Sequence, residues 1–326
     1  MRVHIHNPAK SPPDPVTLAQ WHEAAARAGA IGEGHTVSVG DTEAELRAAL
    51  TDAEALIITP YLVKKHFPLP APRLKLVFST SAGIDSLVPF DMLPDGVMLV
   101  NNSGTHSAKA GEYCIMALLM LANRMPLFAT NQRREHWDRV PASVIAGRTV
   151  GIVGVGGLGG PAAAHAKRFG LRVIGVRTRA VPHPDCERVV ATEDLDSVLP
   201  ELDFLLLACP LTPQTRHLLD RRRIALLPRR AGVINIGRGG LIEQDALLDA
   251  LDEGALEGAV LDVFSPEPVP AGHRLWATRN LIMTPHMSCD DPLTYNAITL
   301  DIFFRELATL ERGERPENLV DRSRAY

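Results

Sequence analysis

Three side chains in the last third of the chain have the types needed to move a proton at an anionic carbonyl compound. They are Arg238 in Asn235-Ile-Gly-Arg-Gly-Gly, Glu267 in Leu261-Asp-Val-Phe-Ser-Pro-Glu-Pro, and His286 in Thr284-Pro-His. A guanidinium offers a planar fork that holds a carboxylate and a neighbouring carbonyl together. An imidazole titrates near neutrality, so it can give a proton in one direction and take it back in the other. A carboxylate beside the ring favours the imidazolium and fixes its orientation. Together the three match what a 2-oxo acid needs, a cation for the carboxylate and a proton donor for the carbonyl oxygen. Singly, each has a plainer reading: a salt-bridge partner for the arginine, a surface turn for the Pro-His pair.

A hydride donor would complete that chemistry, and Thr149-Val-Gly-Ile-Val-Gly154-Val-Gly156-Gly157-Leu158-Gly159 offers a place for one. The run reads as a buried strand, a glycine turn and then a helix beginning near Pro161. Gly154 suits the tight turn, Gly156 lets backbone approach a pyrophosphate, and Gly159 allows close helix–strand packing. Free N–H groups at the helix start favour phosphate. At the end of the next strand an Asp or Glu would bind a ribose 2′-hydroxyl. Here the residues are Arg177-Thr178-Arg179. Two guanidinium groups and a hydroxyl suit a 2′-phosphate, so NADP(H) is expected over NAD(H), which remains the alternative. The plainer reading is that Arg177 and Arg179 are exposed loop charges.

These motifs need parallel sheets to hold them. Short apolar runs alternate with helical patterns along the chain, as crossover-connected parallel strands do. A first series is predicted at Val3–Ile5, Thr36–Val39, Ala55–Ile58, Leu76–Ser79 and Met98–Val100, with helices at Thr17–Arg27 and Glu43–Leu50 between them. A second starts at Thr149 and continues through Val173–Val176, Phe204–Leu207, Gly232–Ile236, Gly258–Leu261 and Leu281–Met283. Two series in 326 residues imply two domains. Between them Ala108–Asn123 is apolar beyond one amphipathic face, so burial on both sides is expected, either in an inter-domain core or at a subunit interface. Asp291–Leu310 reads as a final helix that could return the chain to the first domain, and Ser11–Pro15 reads as a loop.

Composition narrows the partners. A net charge of -4 with a pI near 6.3 gives no general attraction to nucleic acid. The Arg221–Arg223 run is expected to be a solvated helix face. Cys114, Cys186, Cys209 and Cys289 form no Cys-x-x-Cys pair, which argues against a metal site or disulfide framework and suits a reducing, cytoplasmic compartment. The start, Met1-Arg-Val-His-Ile-His, reads as a strand rather than a signal peptide, and the apolar stretch Cys114–Ala122 is too short for a membrane span.

With these motifs in order, the chain resembles the D-isomer-specific 2-hydroxyacid dehydrogenase family. The resemblance rests on the Gly154–Gly159 turn, Cys209-Pro210-Leu-Thr-Pro-Gln-Thr215, the Asn235–Gly239 run, Asp262 followed by Glu267, and Thr284-Pro-His286. It implies two doubly wound parallel-sheet α/β domains: a Rossmann cofactor domain over 105–289 and a flavodoxin-like, discontinuous substrate domain over 1–104 and 290–326. It implies that Arg238 binds and polarises the substrate, that His286 is the acid/base and that Glu267 tunes it. The Ser81-Ala82-Gly83 turn would hold the substrate carboxylate through its amides. Asp262 would contact the nicotinamide carboxamide, with Cys209, Pro210, Thr215, Ile236 and Gly237 also lining the cofactor site. A homodimer joined through the cofactor domain is implied as well.

The Arg177/Arg179 pair and the length look most similar to the glyoxylate and hydroxypyruvate reductase branch. There a tryptophan such as Trp137 can reach the neighbouring subunit, the plainer reading being a packed surface aromatic. Departures from the family pattern are Cys209 where histidine is common, Lys109-Ala-Gly-Glu112, and the bulky, acidic Met287-Ser-Cys-Asp-Asp291 run. A phosphoglycerate dehydrogenase-like enzyme and a dinucleotide-sensing corepressor on the same fold are the rival readings.

Overall fold

The computed structural model describes residues 1–8 and 14–322, so the Ser11–Pro13 part of the expected loop lies outside the described residues. The chain divides into two compact units, Met1–Thr105 with Asp291–Tyr326, and His106–Asp290.

The first unit is built on five parallel strands: β1 (Arg2–His6), β2 (Thr36–Gly40), β3 (Ala55–Ile58), β4 (Leu76–Ser79) and β5 (Met98–Val100), ordered β2-β1-β3-β4-β5. This is the doubly wound order in which the chain reverses direction between β1 and β3. Strands covered on both faces are apolar throughout. Ala55, Ile57, Leu76 and Phe78 accordingly pack on one side with Trp21, Phe303 and Phe304. Leu56, Ile58 and Val77 pack on the other with Leu46, Leu62 and Val63. Each such aliphatic side chain contributes about 1.5–3 kcal/mol when fully buried.

Two helix starts in this unit are set by capping boxes, which satisfy N–H groups that otherwise lack partners. Thr17 with Gln20 caps Leu18–Ala28, and Thr42 with Glu45 caps Glu43–Ala49. The last helix begins at Tyr295 rather than Asp291. Asp291 accepts from the Leu293 amide and the Thr294 hydroxyl, a local turn that competes with helix.

The second unit holds seven parallel strands: β6 (Thr149–Val153), β7 (Arg172–Arg177), β8 (Arg188–Ala191), β9 (Phe204–Leu207), β10 (Gly232–Asn235), β11 (Gly258–Leu261) and β12 (Leu281–Met283), ordered β12-β11-β10-β9-β6-β7-β8. Its reversal lies between β6 and β9, so the crevice beyond the ends of those two strands is where a ligand is expected in such a sheet. Val150, Ile152, Val173, Phe204 and Leu206 face the helix Ser107–Ala122, while Val153, Ile174, Val176, Leu205 and Leu207 face the opposite layer.

Several expectations change. Strand β8 was not anticipated, because Arg188–Ala191 is a short, half-exposed edge segment without a buried run. The helix after the glycine turn starts at Gly159, with Pro161 inside its first turn, where a missing N–H costs no hydrogen bond. Arg221 and Arg222 are exposed and Arg223 half-buried, and all three are ion-paired rather than merely solvated: Arg221 to Asp249 at 2.6 Å, Arg222 and Arg223 to Asp196 at 2.6 and 2.7 Å. Helix Ser107–Ala122 buries Ala110, Tyr113, Cys114, Ala117, Leu118 and Leu121 on one side only. On the other, Ile115, Met116, Leu119 and Met120 line an open apolar groove of about 700 Å³ with Met125. Trp137 is 91% exposed, not packed. Among the described residues no single helix is long and apolar enough to cross a membrane.

Candidate active site

Arg238, Glu267 and His286 all follow strands of the second sheet at their C-terminal ends, after β10, β11 and β12 respectively. Their loops converge for local reasons. Past β10, the Gly237 amide donates to Asn235 Oδ1 (3.0 Å) and Asn235 Nδ2 donates to the Arg238 carbonyl (2.9 Å), closing a tight turn around the arginine. A Cβ on Gly239 would fall 2.1 Å from the Phe264 carbonyl carbon and oxygen, so only glycine lets this turn lie on the loop after β11. In that second loop the Phe264 amide donates to Glu267 Oε1 at 2.7 Å. Glu267 Oε2 meets His286 Nδ1 at 2.7 Å.

His286 itself sits at φ 51°, a left-handed backbone that costs a non-glycine residue on the order of 1–3 kcal/mol. The buried Asp262 holds it there. The His286 amide donates to the Asp262 carbonyl (2.8 Å), and the Met287 and Ser288 amides donate to its carboxylate oxygens at 3.0 Å each. Thr284 Oγ1 donates to Asp262 Oδ1 at 2.6 Å and is paired with the Tyr113 hydroxyl at 2.7 Å. Asp262 stands out in the sequence; Tyr113 does not. Tyr113 lies on the long apolar helix, where its spacing signals only core.

Electrostatics follow from that geometry. The hydrogen bond to Glu267 raises the His286 pKa above its ordinary 6.5; burial and the Arg238 charge oppose this, while the Glu267 and Asp262 charges reinforce it. For Glu267, burial pushes upward, but the bonds from His286 and the Phe264 amide, with the charges of His286 and Arg238, bring it net below the carboxylate range. Both shifts favour imidazolium beside carboxylate, the combination in which the ring can donate a proton. The ring is half exposed, so that proton can reach an incoming oxygen.

At the reversal between β6 and β9, Gly154 has φ 91°, and a Cβ there would meet the Cys209 backbone at 2.7 Å. A Cβ on Gly159 would fall 2.1 Å from the Gly154 carbonyl oxygen. Gly156, by contrast, faces open space with no atom within 4 Å of its Cβ position, and Gly157 is exposed. An open backbone cradle at a helix start fits a dinucleotide pyrophosphate. Leu158 is half-buried at the helix start.

Arg177 ends β7 and is half-buried; Thr178 and Arg179 are exposed just beyond it. Cys209, Ile236 and Gly237 are buried at the ends of β9 and β10, and Pro210 is exposed. Burial pushes the Cys209 thiol up to about 12, so it replaces a more usual histidine with a neutral, apolar contact. Thr215 is occupied locally, donating to the Pro210 carbonyl (2.8 Å) and accepting from the Thr212 amide (2.7 Å), which braces the Cys209–Thr215 loop.

In the first unit, Ser81, Ala82 and Gly83 form a half-buried turn after β4. The Ser81 carbonyl accepts from Ser79 Oγ at 2.8 Å, and the Ala82 carbonyl from Asn101 Nδ2 at 3.2 Å. The amides of Ala82 and Gly83 enter neither bond. Among the described residues there is no cluster of His, Cys, Asp or Glu able to hold a metal.

Comparison with known proteins places this geometry. Residues 115–288 match the family model described as "D-isomer specific 2-hydroxyacid dehydrogenase, NAD binding domain". The chain belongs to the D-isomer specific 2-hydroxyacid dehydrogenase family. Its members are oxidoreductases acting on CH–OH groups.

A glyoxylate reductase of Korarchaeum cryptofilum is 32% identical over 260 residues, covering 77% of this chain and 77% of that protein. A D-3-phosphoglycerate dehydrogenase of Methanocaldococcus jannaschii is 32% identical over 290 residues, 87% of this chain; the chain spans only 55% of that protein's length. Among solved structures, an NADPH-dependent glyoxylate/hydroxypyruvate reductase from Sinorhizobium meliloti, in complex with NADP and sulfate, superimposes with a TM-score of 0.78 at 28% identity. That match covers 100% of this chain and 99% of the other.

The Glu267–His286 contact has a measurable consequence. Glu267→Gln removes the carboxylate hydrogen bond and the charge that hold His286 above 6.5, leaving burial and the Arg238 charge opposed only by Asp262. The histidine's kinetic pKa is expected to fall. With His286 as the acid, reduction would need the protonated ring and be active below that pKa, so its falling limb would move to lower pH; in oxidation the rising limb would move the same way. Profiles of kcat/KM against pH in both directions check this, and limbs that coincide with the parent's would show the two groups uncoupled.

Proposed function

We propose that this chain reduces a small 2-oxo acid, of the glyoxylate or hydroxypyruvate type, to its D-2-hydroxy acid with NADP(H). The observation that carries the reading is the 2.7 Å contact of His286 with Glu267 beside Arg238, all beyond the C-terminal ends of a sheet bearing an open glycine cradle. Bound at Gly154, Gly156, Gly157, Leu158 and Gly159, with Cys209, Pro210, Ile236 and Gly237 alongside, a reduced nicotinamide dinucleotide supplies hydride. Asp262 has three of roughly four acceptor positions filled by protein donors, leaving one on Oδ2 for a carboxamide N–H.

Residue roles follow from their chemistry. Arg238 grips the substrate carboxylate and polarises the carbonyl, so binding energy orients the reacting carbon. His286 gives its proton to the carbonyl oxygen as negative charge develops there. Glu267 keeps the ring charged and aimed. The amides of Ala82 and Gly83, in the 1–104 plus 290–326 substrate domain, are assigned to the carboxylate. Residues 105–289 are assigned to the cofactor. The apolar groove along Ile115, Met116, Leu119 and Met120 is assigned to a second copy in a homodimer. The four cysteines, all free, suit a reducing cytoplasm.

Preference for NADP(H) rests on Arg177 where an acid would repel a 2′-phosphate. Arg177→Asp is expected to weaken NADPH binding by about 10- to 100-fold, the size of one lost charge-assisted hydrogen bond, with NADH held as well or better because the new carboxylate can accept from the ribose 2′-hydroxyl. Unchanged NADPH affinity would remove the assignment. For the activity itself, steady-state assays with glyoxylate and hydroxypyruvate are expected to consume NADPH faster than NADH. A protein that binds NADPH but turns over no 2-oxo acid would instead be a dinucleotide sensor.

A further inference from the structure

Tyr113 and Thr284 do no chemistry in the scheme above, yet they end in the carboxylate that holds the acid/base turn. We propose that the relay Tyr113 Oη–H → Thr284 Oγ1–H → Asp262 Oδ1 is a positioning device that fixes His286 for proton transfer. The proposal rests on the assignment of His286 as the acid/base.

The direction of the chain follows from its members. Thr284 is 2.6 Å from Oδ1 of a carboxylate that can only accept, so the threonine hydroxyl donates there. Its lone pairs then face the Tyr113 hydroxyl at 2.7 Å, which must be the donor. Burial of Tyr113 pushes its pKa up to about 12, so it keeps its proton at any working pH. Such serial donors polarise one another and are worth more together than apart.

The carboxylate that receives this relay also accepts from the Met287 and Ser288 amides, the residues directly after His286. Asp262 is thus the point where three elements meet: β11, the turn after β12, and, through Tyr113, the helix Ser107–Ala122. His286 needs such an anchor because its φ of 51° is unfavourable for a side-chain-bearing residue. Released, the turn can relax toward an ordinary backbone and swing the imidazole away from its working position. A displacement of about 1 Å can cost on the order of 100-fold in rate.

The test compares Thr284→Val, Thr284→Ser, Tyr113→Phe and the double variant Tyr113→Phe/Thr284→Val, reading kcat with saturating 2-oxo acid and NADPH, and NADPH Kd. Thr284→Val is expected to lower kcat by about 10- to 100-fold while Kd stays within about twofold. Thr284→Ser, which keeps the hydroxyl, is expected to restore most of the rate. Tyr113→Phe should lower kcat by several-fold. In the double variant the loss should match Thr284→Val alone, because residues acting in series are not additive.

Full kcat in both single variants would overturn the proposal, as would losses in kcat and Kd of equal size or fully multiplicative effects. His286→Gln measured alongside separates the two levels. If it abolishes turnover while Thr284→Val keeps the parent's kcat, the relay fails and the acid/base assignment stands. If it retains turnover, the assignment itself fails.

Discussion

His286→Gln is expected to lose on the order of 10²–10⁴ in kcat, the usual contribution of a positioned general acid, while NADPH binds as before. Glutamine keeps the size and a hydrogen bond to Glu267 but has no proton to give at neutral pH. The ring lies beyond the end of β12, and the glycine cradle follows β6, so the substitution leaves the cradle's backbone unaltered. Steady-state kinetics with a fluorescence titration of NADPH separate the two effects. Retained kcat would mean that the proton comes from elsewhere.

The second large effect is expected at Arg238. Arg238→Gln would remove the fork proposed to hold the substrate and stabilise charge at the carbonyl oxygen, a loss of about 10²–10³ in kcat/KM by analogy with oxyanion donors. Arg238→Lys keeps the charge but not the bidentate geometry, and is expected to recover only part of it. A second readout has a definite sign. The Arg238 charge lowers the His286 pKa, so Arg238→Gln should raise the kinetic pKa and extend residual reduction to higher pH, opposite to Glu267→Gln. Shifts of the same sign in the two variants would contradict the shared electrostatic site.

Much of this architecture is legible in the sequence because parallel strands covered on both faces must be apolar. Leu56-Ile-Ile and Phe204-Leu-Leu-Leu announce themselves that way, and all but one of the strands lie close to where the apolar runs place them. The exception, β8, is a half-exposed edge strand whose Arg188-Val-Val-Ala lacks that signal. Charge patterns were less readable. A basic run such as Arg221–Arg223 looks solvated until Asp196 and Asp249, distant in sequence, are brought beside it.

The same limit applies at the candidate site. Arg238, Glu267 and His286 stand out because strand ends followed by polar residues in an apolar chain call for explanation. Their mutual geometry depends on Gly239 lying against Phe264 and on Asp262 gathering the turn after β12, neither of which spacing reveals. Tyr113 was invisible as anything but core, since its hydroxyl matters only through a threonine 171 positions away. Helix Ser107–Ala122 is apolar on both sides; one side is buried in its own unit and the other lines an open groove, a division between core and surface that composition alone does not reveal.

The most direct test of the central claim is the configuration of the acid formed when this protein reduces hydroxypyruvate with NADPH. With Arg238 on the carboxylate and His286 at the carbonyl oxygen, one face of C2 would meet the hydride, and membership of the D-isomer specific family predicts NADPH consumption and a product of D configuration only. An L product, or no NADPH oxidation with any small 2-oxo acid, would contradict the account.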